Sequence, residues 1–274
     1  MPRQLENMIV VITGASAGIG QELARQLSAR RAKLVLSARR LDRLEALNAS
    51  LGGGHLCVRA DVADPADCAA LVDQAVARFG RIDTLVCNAG YGLVKGVAET
   101  SLAEMQQIFA TNVYGTTECI RAAVPHLRRQ VVRDEWRGQI VIVSSAAGRR
   151  GLPYFGAYAA TKAAQLSIAE ALRVELADDR IAVISVHPVG TNTDFFATAQ
   201  DKGAMRMPPP GAGEVRQSAR AVANAMIGGI VNPRPEVWPL RASRWMLSLA
   251  TLMPGFADRV MAKYRGQIRK LNAP

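Results

Sequence analysis

The sequence predicts an α/β protein built on a single doubly wound parallel sheet with helices on both faces. Three observations support this class: short apolar runs recur along the chain, each run is continuous rather than alternating, and helical patterns lie between the runs. A strand that is buried on both faces of a parallel sheet gives a continuous apolar run, because neither face contacts water. The predicted strands are Ile9–Ile12, Leu34–Leu36, Leu85–Cys87, Ile140–Val143 and Ala182–Ile184.

The helical patterns begin and end at residues suited to those positions. In one of them Asp64 is a good N-cap, Pro65 fits the first turn, and Gly80 ends the helix. Residues 192–213 depart from the alternation of strands and helices. This segment is loop-rich and includes Pro208–Pro210, so we expect a mobile lid or substrate loop there.

Composition excludes several classes of protein. The chain has 274 residues, of which 49% are hydrophobic and 21% are charged, so it can bury a large core and is not globally disordered. No apolar run approaches the roughly 18 residues that a membrane-spanning helix needs. The short apolar stretch near the N-terminus predicts a buried strand rather than a secretory signal.

The cysteines and histidines do not form a metal-binding pattern. The four cysteines and three histidines are scattered, and no two cysteines have C-x-x-C spacing. We therefore expect no metal site. Thiols that are reduced and partly buried are typical of a reducing compartment, which predicts a cytoplasmic protein.

The positive charge is concentrated in a C-terminal extension, residues 239–274. The net charge is +11, and this extension holds seven basic residues and one acidic residue. This distribution argues against a nucleic-acid-binding face on the main fold. The extension mixes Trp, Leu and Met with Arg and Lys, and its helical spacing breaks at Pro254-Gly255. Two interpretations remain open: it docks on its own body or a neighbouring subunit, or it makes peripheral contact with a membrane surface.

A glycine-rich turn follows the first predicted strand, with the sequence TGASAGIG over residues 13–20, and a helix follows the turn. Glycines allow backbone angles that a Cβ forbids, and they let a diphosphate approach bare amides at the positive end of a helix. The position of this turn, between a strand and a helix, predicts a Rossmann-type dinucleotide site. The predicted contacts are Gly14, Ser16, Gly18, Ile19 and Gly20.

The end of the second predicted strand indicates which dinucleotide binds. A site for NAD has an acidic residue there, but residues 37–40 read SARR and no carboxylate precedes Asp42. An arginine forms charge-assisted bonds with a 2′-phosphate, which an acid would repel. We therefore predict NADP(H) rather than NAD(H), with Arg39 as the main contact, in a single Rossmann-type domain over residues 1–238.

Tyr158 and Lys162 are the clearest candidates for proton chemistry. They lie four residues apart in a predicted helix that runs to about Leu176, so their side chains share one face. A free phenol titrates near pH 10, which is too high for efficient proton exchange at neutrality. A neighbouring ammonium stabilises the phenolate, so we expect Lys162 to lower the pKa of Tyr158.

The chain carries these features together with further motifs, in a fixed order. The set is the glycine turn at residues 13–20, Asn88-Ala89-Gly90, Asn112, Ser144-Ser145, and Tyr158 with Lys162. In its order and spacing this set closely resembles the classical short-chain dehydrogenase/reductase family. The resemblance covers the chain from Met8 to about Trp238.

The resemblance implies a role for each catalytic candidate. Tyr158 would donate or accept the proton of the alcohol, and Ser145 would polarise the substrate carbonyl. Lys162 would lower the pKa of the tyrosine and hold the ribose hydroxyls of the nicotinamide. Asn112 would help to hold a proton-relay water beside the lysine.

The resemblance also implies further cofactor contacts. Asp61 and Val62 match a pair that contacts adenine, and the segment Asn88-Ala89-Gly90 matches one that borders the cofactor. Pro188 and Thr193 match residues near the nicotinamide. The sequence departs from the family pattern at Val189, where the family usually has glycine, which leaves the path of this loop open.

The implied activity is hydride transfer between NADP(H) and a ketone, aldehyde or secondary alcohol. The alternative is a regulatory protein that binds NADP(H) without turnover. By resemblance we expect a homodimer or homotetramer. Residues expected beside the nicotinamide are mostly apolar, which favours an apolar substrate but equally fits ordinary loop packing. They are Tyr91, Leu93, Leu152, Tyr154, Phe155, Phe195 and Phe196.

Overall fold

The computed structural model of the protein describes residues 2–193, 195–203, 205–207 and 216–272. Within these residues the strands are β1 (Ile9–Thr13), β2 (Lys33–Ala38), β3 (Leu56–Arg59), β4 (Thr84–Cys87), β5 (Gly138–Val143), β6 (Ile181–Val186), β7 (Thr191–Asn192), β8 (Gln217–Ser218) and β9 (Glu236–Val237). Seven of them form a parallel sheet in the order β3-β2-β1-β4-β5-β6-β9. The predicted doubly wound α/β class is confirmed.

The strand order places a crevice at the centre of the sheet. From β1 the chain adds β2 and β3 on one side and then returns to place β4 on the other side. The connections that leave β1 and β4 therefore diverge at the carboxyl ends of these strands. Ligands of open α/β sheets bind at such a reversal of strand order.

All five predicted strands are present, but sequence analysis missed β3 and β9 of the large sheet and the two-residue strands β7 and β8. The strand β3 is an edge strand with only Val58 fully buried, so its apolar run is short. The strand β9 has two residues. Apolar patterning is too weak to reveal either of them.

Helices cover both faces of the sheet. Within the described residues the helices are α1 (Gly18–Ser28), α2 (Leu41–Ser50), α3 (Pro65–Phe79), α4 (Leu102–Phe109), α5 (Gly115–Arg129), α6 (Gly156–Glu175), α7 (Phe195–Gly203), α8 (Ala219–Val231), α9 (Arg241–Leu252) and α10 (Pro254–Leu271). One core layer lies between the sheet and α1, α2 and α8, and the other lies between the sheet and α3, α5 and α6. Alternate residues of β1 pack into the two layers, since Val10 and Ile12 belong to the first layer and Val11 to the second.

The expectation of an irregular loop over residues 192–213 is wrong for the part that forms α7. This helix packs closely on the loop after β4, where Val94 N donates to the carbonyl of Ala199 (3.1 Å). A Cβ at Gly203 would lie 1.9 Å from the carbonyl oxygen of Val94. Tertiary packing therefore stabilises a helix where the glycine- and proline-rich pattern favours a loop. Pro208–Pro210 lie outside the described residues.

The C-terminal extension forms α9 and α10, and the predicted break is present at Met253, directly before Pro254. Ser243, Ala257 and Ile268 are its buried side chains among the described residues. The described residues contain no helix long and apolar enough to cross a bilayer. The same residues contain no group of three or more His, Cys, Asp or Glu that could hold a metal ion.

Candidate active site

Tyr158 and Lys162 lie one turn apart on α6, at the carboxyl end of the sheet. Both are buried, with exposed fractions of 8% and 4%. The hydroxyl of Ser144 donates to the carbonyl of Lys162 (2.7 Å), which fixes α6 against the end of β5. The side chain of the next residue, Ser145, lies near Tyr158 and lowers the pKa of its phenol. This geometry gives Ser144 a structural role and supports the choice of Ser145 as the residue that faces a substrate.

Burial shifts the pKa values of the pair in opposite directions. Desolvation raises the pKa of Tyr158 to about 12, and the nearby Ser145 side chain opposes part of this rise. Desolvation lowers the pKa of Lys162 to about 7. The expected lowering of the tyrosine pKa by the lysine is therefore not met in this structure. The ammonium donates to Val143 O and Gln165 Oε1 (both 2.8 Å) and lies 5.6 Å from the centre of the Tyr158 ring.

Asn112 lies in a π-helical turn, Ala110–Tyr114, between α4 and α5. Its Oδ1 accepts from Tyr91 N (3.0 Å), and its Nδ2 donates to Tyr91 O and Thr161 Oγ1 (both 3.0 Å). The side chain therefore joins the loop after β4 to α6. Single π-turns within helices are frequent at functional sites.

Gln165 is a buried site residue that sequence analysis missed. Its Oε1 accepts from Lys162, and its Nε2 donates to Asn112 O (2.6 Å) and Thr116 Oγ1 (2.8 Å). The side chain has no exposed surface. Its position three residues after Lys162, on the same helix face, could have indicated the contact.

The glycine turn has the backbone and the clearance that a dinucleotide needs. Gly14 and Gly18 have φ of +67° and +58°, which L side chains rarely adopt. A Cβ at Gly20 would lie 2.5 Å from the Gly14 carbonyl oxygen. Asn88 Nδ2 braces the turn by donating to the carbonyls of Thr13 (3.0 Å) and Gly14 (3.2 Å).

The start of α1 fits a diphosphate. No side chain caps this N-terminus, and no acidic residue lies in its first turn. The first amides of a helix attract an anion, so an uncapped N-terminus at a glycine turn suits a phosphate group. Ser16 lies in the turn, and Ile19 packs against the core behind it.

Two arginines directly follow β2. Arg39 is largely exposed, with Nη1 3.9 Å from Asp61 Oδ2. Arg40, which the sequence prediction did not include, donates from Nη2 to Ser16 Oγ (3.3 Å). Val62, next to Asp61, is buried. The structure thus brings the Arg40 guanidinium to the glycine turn, whereas the Arg39 guanidinium faces Asp61.

The segment after β4 connects the glycine turn to the catalytic residues. Ala89 N donates to Thr13 Oγ1 (3.0 Å). A Cβ at Gly90 would lie 3.0 Å from Asn112 Oδ1 and 3.6 Å from Lys162 Nζ. Glycine here therefore leaves room for the Asn112 side chain, whereas a Cβ would be in ordinary contact with the lysine.

The loop after β6 takes an ordered path in spite of its departure from the family pattern. The carbonyl of Pro188 accepts from the backbone of the loop after β5 (2.9 Å). Val189 N donates to Gln217 Oε1 (3.1 Å), and valine is not among the residues with positive φ. Thr193 lies beside the glycine turn, since its Cγ2 is 3.2 Å from a Cβ placed on Gly18.

A cluster of apolar side chains, called here the aromatic cluster, packs around Tyr158. The Tyr158 ring lies 5.5 Å from the Phe155 ring and 5.2 Å from the Phe195 ring, between centroids. The structure brings together all seven apolar residues that were expected beside the nicotinamide. The other members of the cluster include Tyr91, Leu93, Leu152, Tyr154, Phe196, Met205 and Met207.

His187 is buried behind the serine and was not predicted as a site residue. Its Nδ1 lies 3.4 Å from Ser145 O and its Nε2 lies 3.0 Å from Ser185 Oγ. Its ring stacks on Trp238 at 4.4 Å between centroids. Burial lowers the pKa of His187 to about 4, so the ring is neutral at pH 7.

Tyr158 and Lys162 are buried and Ser145 is half-buried, at the carboxyl end of the sheet, where a glycine turn can hold a dinucleotide. This combination is typical of an oxidoreductase that works with a nucleotide cofactor. The sequence matches the short chain dehydrogenase family over residues 8–203. The chain therefore belongs to this family, and the resemblance carried by the motifs is confirmed.

Individual proteins similar to this chain agree with the family. The 11-beta-hydroxysteroid dehydrogenase-like 4A of Arabidopsis thaliana is 34% identical over 261 residues, which cover 92% of this chain and 82% of the relative. A 3-ketoacyl-(acyl-carrier-protein) reductase from Brucella melitensis, solved with NADH, has a TM-score of 0.75 at 27% identity and covers 85% of this chain and 97% of its own. An alcohol dehydrogenase from Thermococcus sibiricus, solved with 5-hydroxy-NADP, has a TM-score of 0.72 at 27% identity, with coverages of 84% and 95%.

Proposed function

We propose that this protein is an NADP(H)-dependent reductase of apolar ketones or aldehydes, or a dehydrogenase of the corresponding alcohols. The observation that carries the proposal is the placement of Ser145 near Tyr158, with Lys162 one turn further along α6. This group lies beside a glycine turn whose geometry suits a dinucleotide.

The glycine turn and the family resemblance together indicate which residues would hold the cofactor. Backbone amides at the start of α1 would bind the diphosphate, and Asp61 with Val62 would border the adenine. Pro188 and Thr193 would border the nicotinamide, and Lys162 would bind its ribose. When bound, the nicotinamide supplies or accepts the hydride.

The protein's own part is to orient the substrate and to move a proton. Ser145 donates a hydrogen bond to the substrate oxygen and stabilises the negative charge that develops there. Tyr158 Oη donates its proton to that oxygen during reduction and accepts it back during oxidation. Lys162, when charged, stabilises the phenolate that remains after the transfer.

The preference for NADP(H) rests on Arg39 and Arg40, which directly follow β2. Guanidinium groups favour a 2′-phosphate through charge-assisted hydrogen bonds. The carboxylate nearest Arg39 is Asp61, which follows β3. A site for NAD has its acidic residue at the end of β2 instead. The similar solved structures hold NADH in one case and 5-hydroxy-NADP in another, so the arginines carry this choice.

The choice of an apolar substrate rests on the aromatic cluster. Aromatic rings pack against the Tyr158 ring, and a carbonyl compound that reaches this residue would contact mostly apolar surface. The Arabidopsis thaliana relative is named for a hydroxysteroid, a bulky apolar alcohol.

The proposal includes a cytoplasmic homodimer or homotetramer. Exposed apolar side chains on the helices around Asn112 and Tyr158 support association through those helices. They are Leu102, Tyr114 and Val174.

The test is a panel of apolar ketones and alcohols, each followed by nicotinamide absorbance with NADPH or NADH and with the oxidised forms. We expect turnover of several apolar substrates and a kcat/KM that is higher with the phosphorylated cofactor. Equal or better turnover with NADH would contradict the cofactor preference. Tight cofactor binding without turnover of any substrate would instead favour the regulatory protein.

A further inference from the structure

The extension presents an apolar stripe to solvent. Trp245, Leu249 and Leu252 follow one another at helical spacing on α9, and Phe256 and Val260 lie four residues apart on α10. Their exposed fractions range from 45% for Val260 to 79% for Leu252. The main body of the protein leaves these side chains exposed, so docking on the chain's own body does not account for the stripe.

Basic side chains lie on the same helix faces as the stripe. Arg241 precedes Trp245 by four residues, and Arg259 and Lys263 follow Phe256 by three and seven. All three basic residues are exposed. A helix pair with aromatic and aliphatic side chains among cations is suited to the surface of an anionic bilayer.

Charge also decides between a bilayer and a second copy of this chain. A two-fold interface would place one basic extension against another, because both copies contribute the same surface. The rest of the chain is net positive too, so it offers no overall complementary charge. An anionic lipid surface supplies that complement.

The helix pair is tied to loops on two sides of the active site. Arg150, in the loop that follows Ser145, donates to the carbonyls of Ala250 (3.5 Å) and Pro254 (3.2 Å) and pairs with Asp258. At the other end, Asn272 exchanges two hydrogen bonds with the backbone of Arg206 (both 2.8 Å). Met205 and Met207, on either side of Arg206, belong to the aromatic cluster.

We infer that α9 and α10 form a docking surface for an anionic lipid bilayer, which brings the opening of the active site to the membrane surface. Apolar side chains enter the interface between head groups and acyl chains, and basic side chains contact lipid phosphates. The inference stands independently of the proposed reaction.

The test is co-sedimentation of the full-length protein with vesicles of phosphatidylcholine, alone or mixed with phosphatidylglycerol, at low and high salt. We expect binding to the mixed vesicles that weakens with salt. The double variant Arg259→Glu/Lys263→Glu should weaken binding by about tenfold or more. Its control is Arg30→Glu/Lys33→Glu, which reverses two exposed charges at the opposite edge of the sheet.

A second pair of variants tests the apolar stripe. Trp245→Ser/Leu252→Ser should reduce vesicle binding, and Val131→Ser/Val132→Ser, which also removes exposed apolar groups, should not. Circular dichroism confirms that each variant is folded. Equal binding by all variants would overturn the inference. A different result would also overturn it: the wild type does not bind vesicles, and Trp245→Ser/Leu252→Ser loses subunit association. The stripe would then be an interface between copies of the chain.

A different observation supports a second inference, which rests on the proposed function. The Gln165 amide links the ammonium of Lys162 to the carbonyl of Asn112, with no exposed surface. The other elements packed against the ammonium present neutral groups to it: Val143 of β5, Gly90 of the loop after β4, and the π-turn. The titratable side chain that faces the ammonium is Tyr158. Burial, rather than a neighbouring charge of the described residues, lowers the pKa of Lys162.

We propose that Gln165 is a positioning residue that holds the Lys162 ammonium and keeps it charged. Its amide occupies the place between the lysine and Asn112 where the family resemblance implies a relay water. An acceptor beside a buried ammonium stabilises the charged form, so removing or charging that acceptor shifts the pH at which the lysine loses its proton.

The test compares the pH profiles of ketone reduction by Gln165→Met and Gln165→Glu. Methionine removes the acceptor and should move the fall in rate to lower pH, whereas an ionised glutamate should move it to higher pH. Gln139→Met is the control, because Gln139 is equally buried but bonds with Arg3 at the other end of the sheet. Profiles that stay at the wild-type position in both variants would overturn the inference. Absence of turnover in the wild type would instead count against the proposed function.

Discussion

Tyr158 and Lys162 are both removed from water, and this single fact shifts their pKa values in opposite directions. Burial disfavours the charged form of each group, so the phenol stays protonated up to about pH 12 and the ammonium becomes neutral above about pH 7. A protonated phenol is the form that reduction needs. At neutral pH Tyr158 is therefore protonated, whereas the charge of Lys162 changes near pH 7.

The first prediction concerns the pH dependence of reduction. The rate of ketone reduction should fall as pH rises through about 7, because Lys162 then loses the charge that stabilises the phenolate. Lys162→Arg keeps its charge at all these pH values and should lack this fall, even if its rate is lower. The measurement is kcat between pH 5.5 and about 9 for both proteins. An identical fall in the arginine variant would show that another group is responsible.

The second prediction separates proton transfer from binding. Tyr158→Phe should lose turnover by a factor of about 10² to 10⁴, because it lacks the hydroxyl that donates the proton. Cofactor affinity, measured by fluorescence titration, should stay near the wild-type value. Tyr154→Phe is a matched control in the same aromatic cluster. Unchanged turnover in Tyr158→Phe would refute the catalytic assignment.

At the scale of single elements, the glycine turn and the π-turn each place backbone where the site needs it. The π-turn directs the Asn112 side chain to the loop after β4 and to α6. Sequence motifs could predict both Asn112 and the glycine turn, because these residue types are tied to local geometry. Arg40 and His187 could not be identified in this way, because their contacts join distant parts of the chain. Gln165 lies three residues after Lys162 on the same helix, so helical spacing could have indicated its contact with the lysine.

The third prediction uses two glycines that lie within helices. Gly20→Ala should destabilise the protein by about 1–3 kcal/mol and weaken cofactor binding, since its Cβ would lie 2.5 Å from the Gly14 carbonyl oxygen. Gly228→Ala, in α8, has open space around its Cβ and should stabilise by about 0.5–1 kcal/mol. Thermal unfolding of both variants, with and without cofactor, provides the measurement. Similar shifts in both variants would contradict the argument.

At the scale of the whole molecule, alternating apolar runs and helices were enough to predict the doubly wound sheet and its five central strands. Peripheral elements escaped prediction for physical reasons. The strand β9 is too short to give a pattern, and α7 forms because Val94 and Ala199 pack together. The apolar pattern of a sequence reflects how one element is buried along its own length. The strand β9 and the helix α7 depend instead on contacts with residues far away in the chain.

The fourth prediction concerns stability in acid. The pKa of His187 is lowered to about 4, so the unfolded state takes up this proton before the folded state does as pH falls. Stability should therefore be lost progressively between about pH 6.5 and pH 4. His187→Gln cannot take up the proton and should lose less stability between pH 7 and pH 5 in urea unfolding. An equal loss in the wild type and the variant would assign acid sensitivity to other groups.

The contact between Phe195 and the Tyr158 ring has a consequence for substrate size. Under the proposed function, a carbonyl compound that reaches the hydroxyl would take the place of part of this ring-to-ring contact. A molecule as small as acetone would then leave an unfilled void where the phenyl group had been, whereas a bulkier ketone would replace the lost dispersion contacts with its own. Selection by bulk would then follow from the packing of two aromatic rings.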